Sequence, residues 1–350
     1  MKLSTMLNYA GDVRAAADEV AALERAGLDC VWVAEAYSFD AVSLMGYLAA
    51  KTERVEIGSA ILNVYSRTPT LIAMTLAGLD SISGGRANCG LGASGPQVIE
   101  GFHGVPYLHP TKRIRETIEV CRQTWRRQPV ELHGETVDIP VSRGERTGLG
   151  KALKLINHPV RPAIPIWWAS LKPRSVEATA ELADGWIPIF FIPDHADDVW
   201  GEALRDGRSR RSEALGDLQV LAGGTVRLTD DADEVTRTLD AGRPLAALYA
   251  GGMGARGKNF YHDLMAAYGW EAEADQIQEL YLGGDKEAAA RAVPRGFLEG
   301  SSLVGPEGHV KDRLAAFAAA GVTHLQMNLV GSVADKVRTV EAMRRLADTL

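Results

Sequence analysis

The sequence predicts one parallel βα barrel, the (β/α)8 class of the α/β folds, extending over residues 1–350 as a single domain. Short apolar segments alternate with helical patterns, and successive strands begin roughly 25–30 residues apart, the size of one βα unit. The strands are mostly apolar rather than alternating, as expected for parallel strands covered on both faces. No change of composition marks a linker, so a barrel is favoured over a doubly wound sheet with a second domain.

Eight strands are predicted in chain order, each followed by a helix. The strands lie at residues 3–8, 30–35, 55–62, 86–89, 164–170, 185–189, 219–228 and 321–329. The helices lie at 12–26, 41–51, 70–82, 111–127, 174–183, 194–215, 231–249 and 332–350. Asp12 is a candidate N-cap of the first helix, and Gly27 lies beyond its C-terminus. Pro244 is expected to kink or break the seventh helix.

Two insertions are predicted, one after the fourth strand and one after the seventh. The first, at about 129–150, contains a hairpin with a turn at His133 and Gly134 and then a polar loop, and it is a candidate lid over the site. The second, at about 250–305, contains glycine turns and two amphipathic helices. Both are expected to be additions to the same barrel.

Composition and charge argue against several classes of function. A net charge of -7 without a basic stripe makes nucleic-acid binding an unfavourable interpretation. Cys30, Cys89 and Cys121 are far apart and are expected to be buried, reduced thiols. With no signal-peptide pattern and no bilayer-length apolar run, we expect a cytoplasmic protein that does not bind membranes. The eight histidines have no metal-binding spacing, so no metal site is predicted.

The run from Gly90 to Gln97 is the most informative stretch of the chain. It lies between a strand and a helix expected to begin near Val98, where glycines let a large ligand approach the backbone. The run also fits G-x-G-x-x-G, but a dinucleotide fold places that motif after its first strand, with an acidic residue ending the second. Here three strand–helix units precede it, and Glu116, at that offset, lies in a predicted helix. A cofactor site in a different architecture is therefore favoured.

The C-terminal ends of the strands form the barrel mouth, where such barrels carry their chemistry. Glu35 follows the second strand directly; it is suited to contact a cofactor ring or relay a proton, and equally to cap the next helix or pair with an arginine. Ser170 is a candidate helix cap or a cofactor contact. Lys172, Arg256 and Lys258 suit a phosphate or an acidic tail, although a charged surface loop explains the last two as well.

Polar and aromatic side chains are expected to line a substrate pocket in this mouth. Their character favours a planar or apolar substrate, such as an imine, an enone or a pterin, but plain packing against a cofactor ring explains them equally well. The pocket residues are Tyr9, Tyr37, Asn63, Tyr65, Phe190 and Phe191.

The chain resembles the luciferase-like oxidoreductases, and among them the branch that uses the deazaflavin coenzyme F420, including methylenetetrahydromethanopterin reductase. The resemblance is carried by segments 32–37, 90–107, 154–160, 169–173 and 258–261, of which 90–107 is the most specific. The resemblance covers nearly the whole chain. Two departures are evident: Ala36 replaces the histidine of the deazaflavin sugar-phosphate dehydrogenases, and Lys172 stands where relatives often have glycine.

The resemblance implies F420 in the barrel mouth and hydride transfer to or from an unsaturated or hydroxylated organic molecule. It implies a non-proline cis peptide at Ala60-Ile61 behind the ring, and a homodimer. Glu35 and Tyr37 are the candidate catalytic residues, with water as another proton source. The implied cofactor-binding residues are Glu35, Ala60, Ile61, Gly92, Ala93, Ser94, Gly95, Ala169, Ser170, Leu171, Lys172, Pro173, Arg256 and Lys258.

Three alternatives remain open at this stage. An FMN-dependent monooxygenase on the same fold would use reduced flavin and oxygen. A carrier or sensor would keep the phosphate-binding turns but lack a substrate cavity. A dehydrogenase that binds NAD(P)H would need a separate N-terminal nucleotide domain.

Overall fold

The computed structural model describes residues 1–8, 11–254 and 256–350. The strands within these ranges are β1 (Lys2–Met6), β2 (Cys30–Val33), β3 (Glu56–Ser59), β4 (Leu62–Asn63), β5 (Ala87–Gly92), β6 (Leu132–His133), β7 (Asp138–Ile139), β8 (Ile166–Ala169), β9 (Gly185–Ile187), β10 (Gln219–Leu228), β11 (Leu303–Gly305) and β12 (His324–Leu329).

The helices of the same ranges cover the outside of the barrel and part of its mouth. They are α1 (Val13–Arg25), α2 (Ala41–Lys51), α3 (Pro69–Ser83), α4 (Pro96–Ile99), α5 (Pro110–Trp125), α6 (Pro173–Leu182), α7 (Ala196–Ser209), α8 (Ala232–Asp240), α9 (Arg243–Ala247), α10 (Phe260–Ala267), α11 (Glu271–Leu282), α12 (Lys286–Ala292), α13 (Arg295–Gly300), α14 (Glu307–Ala319) and α15 (Val333–Ala347).

Eight parallel strands close into a barrel in the order β1, β2, β3, β5, β8, β9, β10 and β12. The barrel closes because β12 lies between β10 and β1, with Leu325 opposite both Leu3 and Ala222. The predicted (β/α)8 class is therefore confirmed. The short strand β4 continues β3 and pairs with β5, and β11 pairs with the C-terminal end of β10.

The helix signals of the sequence are confirmed in part. Asp12 caps α1 by accepting hydrogen bonds from the amides of Arg14 and Ala15. The predicted seventh helix is broken into α8 and α9 just before Pro244, as expected. The predicted helix at 194–215 is shorter, because α7 is flanked by separate 3-10 turns. No helix of the described residues is long and apolar enough to cross a membrane.

Both insertions differ in detail from their prediction. The hairpin of the first is present as β6 and β7, but irregular chain continues from it to β8, beyond residue 150. The second insertion contains four helices, α10 to α13, rather than two. The segment is divided into more helices because Gly283 and Gly284 follow the end of α11 and Pro294 separates α12 from α13.

Glu116 of α5 holds the hairpin turn in place. Its carboxylate accepts hydrogen bonds from the backbone amides of Glu135, Thr136 and Val137 and from the Thr136 hydroxyl. Burial opposes ionisation, but these donors lower the pKa of Glu116 below its ordinary value. Glu116, the acidic residue at the spacing of a dinucleotide-binding motif, therefore has a structural role in a helix.

Two tryptophans fill the barrel interior below its mouth. The rings of Trp32 and Trp167 meet edge to face, with centroids 5.1 Å apart. Glycines make room for them, because an added Cβ would lie 2.3 Å from the Trp32 ring at Gly58 and 2.1 Å from the Trp167 ring at Gly185. The interior is thus a packed floor rather than a pore.

We expect His324, at the N-terminal end of the barrel, to reduce stability in acid. Burial, with help from Lys2 and the N-terminal ammonium, lowers its pKa from 6.5 to about 4 against the opposing effect of Glu56. The unfolded chain binds the proton more readily, so stability falls as the pH decreases from 6.5 towards 4, by about 3 kcal/mol.

Urea unfolding of the wild type and of His324→Phe at pH 7 and pH 4 measures this effect. The phenyl ring keeps the packing against Trp167, whose ring centroid lies 4.8 Å from that of His324. The acid loss should be smaller in the variant, which lacks the titrating ring. Equal losses in both proteins would assign the acid sensitivity to carboxylates instead.

Candidate active site

A cis peptide and the glycine run form adjacent parts of the barrel mouth. The Ala60-Ile61 bond, between β3 and β4, is cis, so this prediction is confirmed. The Ser59 hydroxyl donates to the carbonyl oxygen of Gly90 at 2.8 Å and accepts from the Gly90 amide at 2.9 Å. At Gly92, an added Cβ would lie 2.8 Å from the Ile61 side chain. The glycines therefore allow β5 to approach the bulge closely.

The end of the glycine run leaves the barrel wall through Ser94. This residue has a left-handed backbone, with φ 58°, which is uncommon for a residue other than glycine. The following helix, α4, begins at Pro96 rather than near Val98. The Tyr107 hydroxyl donates to the Ser94 carbonyl at 3.1 Å, and the Tyr107 ring stacks on Tyr65 at 5.2 Å. An aromatic pair thus supports the outer part of the run.

In the turn after β8, the structure contradicts one of the two roles predicted for Ser170, that of helix cap. Ser170 does not cap α6, because its hydroxyl is buried and pairs with the Thr179 hydroxyl at 2.8 Å. Lys172 occupies the N-cap position without a side-chain cap, and Pro173 begins the helix, one residue before its predicted start. The carbonyl of Ser170 accepts a hydrogen bond from the indole of Trp186. The turn is therefore fixed from its buried side.

A contact between Lys172 and Phe260 joins this turn to the second insertion. The Lys172 ammonium lies 4.1 Å from the centroid of the Phe260 ring, at the start of α10. Arg256 and Lys258 are exposed in the preceding loop. Asn259 fixes the end of that loop, because its amide donates to the carbonyls of Tyr249 and Ala250 while its oxygen caps α10. Of the ion pairs between described residues, none involves Lys172, Arg256 or Lys258.

Glu35 adopts both structural roles that its position permits. Arg67 donates to its two carboxylate oxygens, from Nη1 and, at 2.8 Å, from Nη2. The amide of Ala41, at the start of α2, donates to the same carboxylate at 2.9 Å. The side chains of Glu35 and Arg67 are 7% and 15% exposed. Both oxygens are therefore already engaged, while Tyr37 lies on the outer rim, 70% exposed and beside Phe102.

The residues predicted to line a substrate pocket separate into different environments. Asn63 is buried and caps its own turn by accepting from the amides of Tyr65 and Ser66. The Tyr65 hydroxyl donates to the Leu108 carbonyl, and burial, with the neighbouring Tyr107, raises the pKa of Tyr65 to about 12. The predicted contact at Tyr9 lies outside the described residues.

Phe190 and Phe191 point in different directions. Phe190 has φ 51° and lies 5.4 Å from Tyr249 and 6.5 Å from Tyr261, between ring centroids. Phe191 is 2% exposed and stacks on Trp200 of α7. Phe191 therefore packs in the core rather than lining the pocket predicted for it.

Several side chains of the mouth were not singled out from the sequence. Tyr107, Phe260 and Tyr261 fall inside segments that carry the resemblance, so the signal for them was present. Tyr249 lies on a π-helical turn, Leu248–Gly252, and Arg67 on the loop before α3; no local pattern marks either. Among the residues that the structure describes, no group of three or more histidines, cysteines or acids is arranged to hold a metal.

Glycine-lined strand ends, unpaired cations and an aromatic cluster at the mouth of a βα barrel are typical of an enzyme that binds a large anionic cofactor. The chain belongs to the luciferase-like monooxygenase family, whose model matches residues 1–324. Membership makes it an enzyme of the oxidoreductase class.

Similar proteins span almost the whole chain. A Mycobacterium tuberculosis protein provisionally named a coenzyme F420-dependent oxidoreductase is 38% identical over 98% of this chain and 99% of its own length. The 5,10-methylenetetrahydromethanopterin reductase of Archaeoglobus fulgidus is 25% identical over 86% and 85% of the two chains. The solved coenzyme F420-dependent tetrahydromethanopterin reductase of Methanopyrus kandleri has the same fold, with a TM-score of 0.79, 22% identity, and 98% and 96% of the two chains covered.

Proposed function

We propose that the protein is a coenzyme F420-dependent oxidoreductase that transfers a hydride between F420 and an unsaturated or hydroxylated organic small molecule. The observation that carries this proposal is the set of cations at the mouth, Lys172, Arg256 and Lys258, which have no carboxylate partner among the described residues. The relative at 38% identity, which matches over 98% of this chain and 99% of its own length, supports the same cofactor.

The residues present fit such a cofactor. A flat ring needs backbone that can approach it closely, and the cis peptide of Ala60-Ile61 faces Gly92 across a gap that admits no side chain at that glycine. A phosphate and an acidic tail need cations that are not already neutralised, which the Lys172 turn and the Arg256 loop supply. Ala93, Ser94, Gly95, Ala169, Ser170, Leu171 and Pro173 remain the proposed backbone contacts.

The chain's own residues would bind and orient the reactants. F420, when bound, would supply the hydride in its reduced form or accept it in its oxidised form. The bulge at Ala60 and Ile61 would support the ring, and Glu35, fixed by Arg67, would hold the rim beside it. The aromatic side chains between β5 and β9 would exclude water from the substrate.

The second candidate is an FMN-dependent monooxygenase, which the name of the matching family supports. Equilibrium binding of F420 and FMN to protein purified without added cofactor separates the two proposals. Tight F420 binding with weak FMN binding is expected. The reverse result would overturn the F420 proposal.

Removing two of the cations should weaken F420 binding. For the double variant Arg256→Ala/Lys258→Ala we expect roughly tenfold lower affinity, with a smaller salt dependence, because two charges near an anionic tail are lost. Lys311→Ala, which changes an exposed cation of α14, is the matched control and should bind like the wild type. If the double variant binds F420 as tightly as the wild type, the acidic tail of F420 does not lie at Arg256 and Lys258.

The proposed homodimer is supported by the outer face of α3. Leu71, Met74 and Ile82 lie on one side of this helix and are 45%, 53% and 67% exposed, and an exposed apolar stripe of this kind favours a protein–protein contact. Met74→Glu should therefore shift the protein from dimer to monomer in light scattering. A wild type that is monomeric at all concentrations would overturn the dimer. Cys30, Cys89 and Cys121 are buried thiols that form no disulfide among the described residues, which supports the proposed cytoplasmic location.

A further inference from the structure

One tyrosine at the barrel mouth carries a hydroxyl that has no acceptor among the described residues. Tyr261 is on the first turn of α10, and its half-buried ring contacts those of Tyr249 and Phe190. Its phenol also interacts electrostatically with that of Tyr107. In the part of the chain that the structure describes, no hydrogen bond uses its hydroxyl, whereas its backbone amide is bound by Asn259. A phenol placed in a cluster of rings without a partner is free to bind a ligand.

Other candidate donors of the mouth are already engaged. The Tyr107 hydroxyl donates to the Ser94 carbonyl, and the Tyr65 hydroxyl to the Leu108 carbonyl. Glu35 is held by Arg67, and Tyr37 lies on the exposed rim. This leaves Tyr261 as a side chain that can donate to a substrate without breaking an existing contact.

The location of Tyr261 is fixed by the strands beneath it. Tyr107 is tied to Ser94 at the end of β5, and Phe190 follows the end of β9. The strand between these two in the barrel is β8, whose turn contacts Phe260, the neighbour of Tyr261, through Lys172. Tyr261 therefore lies above the end of β8, in the same sector of the mouth as the proposed cofactor contacts.

We infer that Tyr261 is the substrate-binding hydrogen-bond donor, and that it takes the acceptor oxygen or nitrogen of a planar ligand held against the exposed side of this aromatic cluster. The role of Tyr261 in hydride transfer rests on the proposed function, whereas the binding of a planar ligand at Tyr261 does not depend on it. The substrate class is then narrowed to molecules with a carbonyl or imine group on a flat apolar frame.

The protonation state of Tyr261 suits this task. Burial, together with the neighbouring phenols of Tyr249 and Tyr107, raises its pKa above the ordinary tyrosine value. The side chain is therefore a neutral O–H at physiological pH, which donates rather than accepts. Such a donor binds an anionic oxygen more strongly than a neutral one.

Binding of 4-nitrophenolate to the full chain tests the inference without any turnover. Its flat ring and anionic oxygen match the proposed ligand, and calorimetry measures its affinity with and without F420. The wild type should bind it saturably, and Tyr261→Phe should bind it at least tenfold more weakly. The probe 4-nitrotoluene keeps the nitrophenyl ring but has a methyl group in place of the phenolate oxygen, so both proteins should bind it alike.

Tyr47→Phe, which removes a phenolic hydroxyl from the outer helix α2, is the matched control and should bind 4-nitrophenolate like the wild type. Tyr261→Phe should unfold at the wild-type temperature, because the lost hydroxyl has no partner in the described protein. Unchanged affinity in Tyr261→Phe, no saturable binding by the wild type, or a marked loss of stability would each overturn the inference. F420 affinity, measured on the same samples, decides the proposed function separately.

Discussion

Replacing Gly90 by alanine should lower the free energy of unfolding by about 3 kcal/mol, because the added methyl has no space in the barrel wall. Its Cβ would lie 1.7 Å from the carbonyl oxygen of Ser59, a backbone atom of β3 that cannot rotate away. The same shift would disturb the hydrogen bonds between Ser59 and Gly90 and displace the cis peptide that follows. We therefore expect F420 affinity to fall together with stability.

Urea unfolding and F420 titration of Gly90→Ala measure the two losses. Gly46→Ala is the matched control, since Gly46 lies in α2 with nothing within 4 Å of an added Cβ. Alanine is the better helix former there, so this variant should be more stable by about 0.5–1 kcal/mol. Equal unfolding midpoints for the two variants would show that the contact between β3 and β5 can relax.

Replacing Arg67 by methionine should cost about 3–5 kcal/mol, because the carboxylate of Glu35 would remain buried without its cation. The Glu35 side chain is 7% exposed, and its one other hydrogen bond among the described residues comes from the Ala41 amide. The double variant Glu35→Gln/Arg67→Met removes the charge as well, so it should recover part of the loss. Urea unfolding of both single variants and the double variant gives the coupling between the two side chains.

The same variants separate the two roles proposed for Glu35. If Glu35 positions the rim, Arg67→Met and Glu35→Gln should weaken F420 binding to a similar extent. If Glu35 moves a proton, Glu35→Gln should lower turnover and change its pH profile while F420 affinity is kept. Wild-type stability in Arg67→Met would contradict the structural role of the ion pair.

The barrel was predictable because its signal is local. Each strand and helix is marked within its own segment, and the resemblance extended that reading to the cis peptide at Ala60-Ile61. The role of Glu35 was not predictable, since the partner that engages it, Arg67, is 32 positions away along the chain. Two structural roles and a catalytic one were all compatible with its position after a strand.

Directions of side chains were the least predictable property of the site. Phe190 and Phe191 are adjacent and chemically identical, yet one joins the tyrosines of the mouth and the other stacks on Trp200. The difference follows from the left-handed backbone conformation at Phe190, which cannot be predicted from the residue type. The position of Ser170 just before a helix made it a plausible N-cap, but its hydroxyl forms a hydrogen bond with the Thr179 hydroxyl inside α6 instead.

The position of β12 between β1 and β10 sets the order in which a growing chain can complete its fold. Until residues 324–329 have been synthesised, β1 and β10 each keep an unpaired edge, although every other neighbour in the wall already exists. Such edges can pair with other chains, so this period is the one most exposed to aggregation during synthesis. Chaperone dependence should therefore be greatest for nascent chains stopped just before β12.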